Sequence, residues 1–157
     1  MRHLVMTRCA AAVMALAALA GCGRGSTATQ VFTRQVPATP AAIVGSAVTT
    51  FSNHGIPVAV ADEPGGKVRT APVNLRGSLA SGSPDDRVAC PAPAGDTTGA
   101  ADTAPVTVTF QITVKPVPDG SIVSLDARRE NTSSRCVVKS AFVAQLLEEI
   151  TQGARRS

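Results

Sequence analysis

The segment PVTVTFQITVK, residues 105–115, alternates apolar and polar side chains without a break. Val106, Val108, Phe110, Ile112 and Val114 point one way; Thr107, Thr109, Gln111 and Thr113 point the other. Period two over this length predicts an antiparallel strand with one face in a core and one in water. Pro118, Asp119 and Gly120 supply a tight turn. Residues 122–130 then return, with Val123, Leu125 and Ala127 inward and Ser124, Asp126 and Arg128 outward. The rest of the chain has to cover the apolar face of this hairpin.

Two helices are available for that. Thr39 and Pro40 form an N-cap and a first helical residue, followed by an apolar stripe of Ile43, Val44, Ala47, Val48 and Phe51. Gly55 suits the left-handed residue after the helix, and Ile56 is placed to fold back on Phe51. The expected span is Pro40 to His54. Near the other end, Ser140 is the expected cap, Phe142, Val143, Leu146, Leu147 and Ile150 form one stripe, and Gly153 is the expected stop. Between helix and hairpin, Ile56, Val58 and Val60 alternate as a strand. Residues 62–66 are a turn cluster, and Lys67 to Leu75 reads as a weaker strand that Pro72 restricts to an edge or bulge. The expected fold class is therefore α+β: a four-stranded antiparallel meander with an N-terminal and a C-terminal helix packed on one face. Residues 77–104, rich in Gly, Ala, Ser and Pro, are expected to be a long loop.

The chain has 157 residues, no Trp, no Tyr and four Phe. Its core must be built mainly from Val, Ile, Leu and Ala. That composition and length exclude a multi-domain enzyme, a polytopic membrane protein and an aromatic binding cage.

Arg2 and Arg8 precede an apolar run from Cys9 to Ala20, too short to span a bilayer. The run ends in Leu19-Ala20-Gly21-Cys22, which resembles the lipobox of bacterial lipoproteins: a bulky aliphatic residue, two small residues, then cysteine. The resemblance implies cleavage before Cys22 and acylation of its thiol. The alternative is an ordinary secretory signal with a chance cysteine. Two or three acyl chains on one residue anchor stably. The expected localisation is thus export, with a lipid anchor on the outer side of the cytoplasmic membrane or on the outer membrane. The expected layout is a signal peptide over 1–21, the lipidated Cys22 with a flexible tether to residue 38, and a single domain over 39–157.

Once Cys9 has left and Cys22 is acylated, Cys90 and Cys136 remain. An even pair in an exported protein predicts a disulfide. A two-Cys metal site would lack histidine partners, and a redox couple would usually show C-x-x-C spacing. Removing Arg2 and Arg8 lowers the formal charge from +4 to about +2. With no run of basic residues and no interleaved aromatics, nucleic acid is not an expected partner.

Chemistry-bearing residues are few. His54 is the one histidine outside the export segment, at a helix C-terminus where a positive ring favours the dipole. No G-x-S-x-G pattern occurs. A hydrolase would need a cleft that brings His54 beside a serine and a carboxylate. The pairs Asp62-Glu63, Asp85-Asp86 and Glu148-Glu149 sit in turns or on a helix surface, and Gly65-Gly66-Lys67 lacks phosphate-loop spacing. No catalytic residue, metal or cofactor is therefore expected. The candidate partner surface is Lys67 and Arg69 on one strand face, the Thr107, Thr109, Gln111 and Thr113 face, and Arg128, with Arg129, Arg135 and Lys139 nearby; the alternative is a solvated sheet face.

The element order, with G-x-V-x-T at Gly66 to Thr70, is similar to that of small envelope accessory lipoproteins such as those of the barrel-assembly machinery. The resemblance implies a non-catalytic interaction or scaffold module that contacts another envelope protein or an anionic envelope polymer. The alternative is a lipoprotein that holds a lipid or small molecule in a cavity between helices and sheet.

Overall fold

A computed structural model describes residues 29–77, 79–91, 104–131 and 135–157. The expected export segment, Cys22, the first part of the tether and residues 92–103 of the expected loop lie outside the described residues.

The elements follow in the order β1 (Thr29–Val36), α1 (Pro40–Asn53), β2 (Val58–Asp62), β3 (Lys67–Thr70), β4 (Val73–Asn74), α2 (Pro84–Arg87), β5 (Val88–Ala89), β6 (Thr107–Val117), β7 (Gly120–Arg129), β8 (Val137–Val138) and α3 (Ser140–Ala154). Among the described residues the fold is α+β, with an antiparallel sheet, three helices and one disulfide.

Four strands was an undercount. Among the described residues the main sheet has six, in the order β1-β7-β6-β3-β2, with β4 added beside β6, and β5 pairs with β8 in a separate ladder. The extra edge strand comes from the stretch expected to be tether. Thr29–Val36 pairs along its whole length with β7, from Thr29 opposite Arg128 to Val36 opposite Ser121. Its sequence hid this because an edge strand buries little: Val36 is fully buried, but Val31 is 59% exposed. The domain therefore begins no later than Thr29, and α1 is not its first element. β1 also breaks the meander, since it lies beside β7, far away in sequence.

Pro72 splits the expected 67–75 strand into β3 and β4, because it has no N–H to give to the ladder. Part of the expected 77–104 loop is ordered as α2 and β5. In α2, Asp86 Oδ2 accepts from the Ser83 N–H at 2.9 Å and lies 3.0 Å from Ser83 Oγ, which fixes the first turn. The Cys90–Cys136 disulfide closes the β5–β8 ladder.

α1 starts and stops as its residues predict. Thr39 Oγ1 accepts from Ala42 N–H. At the C-terminus the Gly55 N–H donates to Ser52 O and the Ile56 N–H to Phe51 O, with Gly55 at φ +70°. This pair of bonds is the Schellman arrangement, and only glycine takes that φ without strain. α3 runs one residue beyond Gly153, where the absent Cβ leaves room for Ser46 of α1; Ser46 Oγ donates to Ile150 O at 2.8 Å. Lys139, not Ser140, occupies the N-cap of α3.

The core lies between the helices and one sheet face. Phe110 of β6 meets Phe51 of α1 at 5.9 Å and Phe142 of α3 at 6.4 Å between ring centres. Val68, Ile112, Val123 and Leu125 complete the sheet side, all fully buried.

Candidate functional site

The helices leave the other sheet face bare. Cross-strand register arranges its side chains in rows. One row runs Lys67, Thr113, Ser124, Thr33 across β3, β6, β7 and β1. The next runs Arg69, Gln111, Asp126, Val31, and a third runs Thr109, Arg128, Thr29. Neighbours in a row stand about 5 Å apart.

These rows gather most of the sequence-predicted partner surface. Arg69, Thr109, Gln111 and Arg128, with Thr29, Asp126 and Glu130, line a groove of about 350 Å³. Lys67 and Thr113 lie one row along, outside that lining, and Thr107 sits at the start of β6 opposite Asn74 of β4. Thr109 corrects the expectation of a solvent-facing residue: it is 6% exposed, and its hydroxyl has no hydrogen-bond partner among the described residues. Among the described residues, Arg69, Arg128, Asp126 and Glu130 form no ion pair with one another. The groove thus presents two guanidinium and two carboxylate groups that are not neutralised by direct contact.

A second constellation lies on the helix side. His54, 7% exposed at the C-cap of α1, has Nδ1 2.6 Å from Ser81 Oγ and Nε2 2.7 Å from Glu149 Oε2. Its ring also meets Phe142 edge-on. An ionised carboxylate only accepts, so Nε2–H donates to Glu149; a neutral ring then accepts the Ser81 hydroxyl proton at Nδ1. Burial raises the Glu149 pKa, but hydrogen bonds from His54 and Gln145, with the electrostatic attraction of His54, together bring it below the ordinary value. This places a serine, the histidine and a carboxylate in one chain of hydrogen bonds. The neighbouring groove, about 510 Å³ between α1 and α3, reaches Glu149 but is not lined by His54 or Ser81.

Ser81 is held from behind by Arg87, the largest fully buried side chain, whose Nη1 donates to Ser81 O and Nη2 to Gly77 O. Burial lowers the Arg87 pKa, with Asp86 opposing. Sequence reasoning missed Ser81 and Arg87, and weighed Glu149 only as half of an acidic pair. No local pattern marks them, because Ser81 lies 27 residues and Glu149 95 residues from His54.

The interface between helices and sheet, where a ligand cavity was the alternative expectation, is occupied by Phe51, Phe110, Leu125 and Leu146, all buried. The grooves described above lie on the surface. Among the described residues no group of three or more His, Cys, Asp and Glu could hold a metal, and no helix is long and apolar enough to cross a membrane.

No protein-family profile matches the chain, and no curated protein matches it. Solved structures resemble it distantly. An uncharacterised protein from Rhizobium leguminosarum shares 13% identity over 83% of this chain and 95% of its own, with a TM-score of 0.40. A DUF4468 family protein from Bacteroides ovatus shares 13% identity over 82% of this chain and 80% of its own, with a TM-score of 0.34.

Proposed function

We propose that the protein is a cell-envelope lipoprotein, anchored through acyl chains on Cys22, that acts as a non-catalytic docking module for another envelope protein. The observation that carries this reading is the bare sheet face, where Arg69, Gln111, Asp126 and Arg128 stand in adjacent rows without mutual ion pairs. Unpaired charges of both signs on a rigid sheet suit a partner with a complementary polar surface, and they set specificity more than raw affinity. The lipobox residues support the anchor, since the thiol of Cys22 is the strong nucleophile beside a small-residue cleavage site.

Crosslinking in intact cells tests the docking role. Wild type should capture a discrete envelope protein, and Arg69→Glu with Thr113→Lys should lose it while melting normally. Capture that is unchanged by these substitutions, or that yields only bulk abundant proteins, overturns the reading. Cys22→Ala should release the protein from membranes or block its maturation.

The Ser81–His54–Glu149 chain favours a second reading, a serine hydrolase. In it His54 Nδ1 would take the Ser81 proton as Oγ attacks an ester carbonyl. The imidazolium, held by Glu149, would give that proton to the departing alcohol as its C–O bond breaks, and water would then hydrolyse the acyl-serine. A fluorophosphonate probe should then label Ser81 in wild type and fail with His54→Ala; an unlabelled wild type excludes this reading.

A further inference from the structure

The groove on the bare sheet face has a polar floor. Thr109 is the one buried residue of its lining. Its chain neighbours Val108 and Phe110 are both fully buried in the core, so alternation along β6 turns the Thr109 side chain toward the groove. The Thr109 hydroxyl has no hydrogen-bond partner among the described residues. A buried hydroxyl left unpaired costs free energy, and a ligand that bonds it recovers that cost.

Arginines stand on both sides of this hydroxyl. Arg128 is directly opposite Thr109 on β7, and Arg69 is its diagonal neighbour on β3, through the pairing of Arg69 with Gln111. A hydroxyl donor between two guanidinium groups is a seat for a carboxylate. Asp126 is the other diagonal neighbour, on β7, about 7–8 Å from Thr109. It is half-buried, in a row between Gln111 and Val31, and a carboxylate with reduced hydration suits an ammonium group. With Glu130, the lining carries two positive and two negative side chains, whose charges cancel. Such a lining repels a simple dianion with two of its four charges and matches a ligand that brings both signs. Length follows from spacing. Two extended residues span about 7 Å, which is the separation of the hydroxyl position from Asp126. The groove, about 350 Å³, has the volume of a small ligand site, at the lower end of about 300–1,000 Å³.

We propose that this groove binds a short peptide with free ends, about two residues long. Its terminal carboxylate sits on the Thr109 hydroxyl between Arg69 and Arg128, and its ammonium group sits on Asp126. The inference goes beyond the docking reading and requires neither a protein partner nor the anchor at Cys22. Crosslinking to an envelope protein can therefore fail while the peptide binds, and the reverse.

Isothermal titration of the full chain with L-alanyl-L-alanine tests it. Blocking either end, as N-acetyl-alanyl-alanine or as alanyl-alanine amide, should weaken binding roughly 10- to 100-fold, because each removes a charge-assisted contact. Alanine, too short to reach both anchors, and inorganic phosphate should each bind at least about tenfold more weakly. Asp126→Asn should weaken the dipeptide about tenfold and leave N-acetyl-alanyl-alanine unchanged. Thr109→Val should weaken the dipeptide about tenfold while the ligand-free protein melts no lower, since a methyl replaces an unpaired buried hydroxyl. Thr109→Ser, which keeps the hydroxyl, should bind like wild type; a serine variant as weak as the valine variant removes the hydroxyl from the site. No binding of the dipeptide, or equal binding of both blocked forms, overturns the proposal. Equal affinity for alanine or for phosphate overturns the peptide assignment, and unchanged affinity in Thr109→Val or Asp126→Asn overturns the geometry.

Discussion

His54 Nε2 lies 2.7 Å from Glu149 Oε2, which ties the end of α1 to the second half of α3. Because this contact holds the Glu149 pKa below its ordinary value, the folded protein takes up the Glu149 proton less readily than the unfolded chain. Its contribution is complete above the ordinary carboxylate pKa and disappears as the pH falls through the lowered one. Thermal melts should therefore show stability declining as the pH falls below the ordinary carboxylate range, with a shallower decline in Glu149→Gln. The Glu149 side chain is 40% exposed, so solvent screening should hold the difference to about 1 kcal/mol or less.

Cys90→Ser opens a loop that spans 46 residues of sequence. Chain entropy assigns such a loop about 4 kcal/mol. Differential scanning calorimetry should show Tm lower by roughly 10–20 °C. The same variant should expose the 79–91 segment to protease first, since the β5–β8 ladder is only two residue pairs long.

Phe110→Ala removes the ring that both helices share. The side chain is fully buried and contacts Phe51 and Phe142, so the cavity has walls on three elements and cannot collapse from one side. Urea titration should give a loss of about 3–5 kcal/mol.

Val36→Asp distinguishes a strand from a tether. At 0% exposure, opposite Ser121, the carboxylate would be buried without a partner. Circular dichroism should show unfolding or a large drop in Tm. A substitution in a true tether would leave the melt unchanged.

The hairpin of β6 and β7 was legible because its alternation is strict: every inward residue from Val106 to Val114 is buried. α1 was legible because caps are local, and Thr39, Pro40, Gly55 and Ile56 act within one turn of the helix ends. β1 was not. The pattern of Thr29 to Val36 carries one fully buried side chain, and its pairing with β7 depends on residues about ninety positions later. The groove residues Arg69, Gln111 and Arg128 were recognisable as surface. That they share one groove follows from the β3–β6–β7 register, which no single segment encodes.

Period-two and period-3.6 patterns, helix caps and the even cysteine pair were enough to establish an α+β domain stapled once, because each is a short-range preference of the backbone or of thiol chemistry. The pairing of β1 beside β7, the buried Arg87 under Ser81, and the meeting of Ser81, His54 and Glu149 were decided only by the tertiary structure. Those arrangements depend on which distant surfaces exclude water from one another, and that choice is made by the packed chain as a whole.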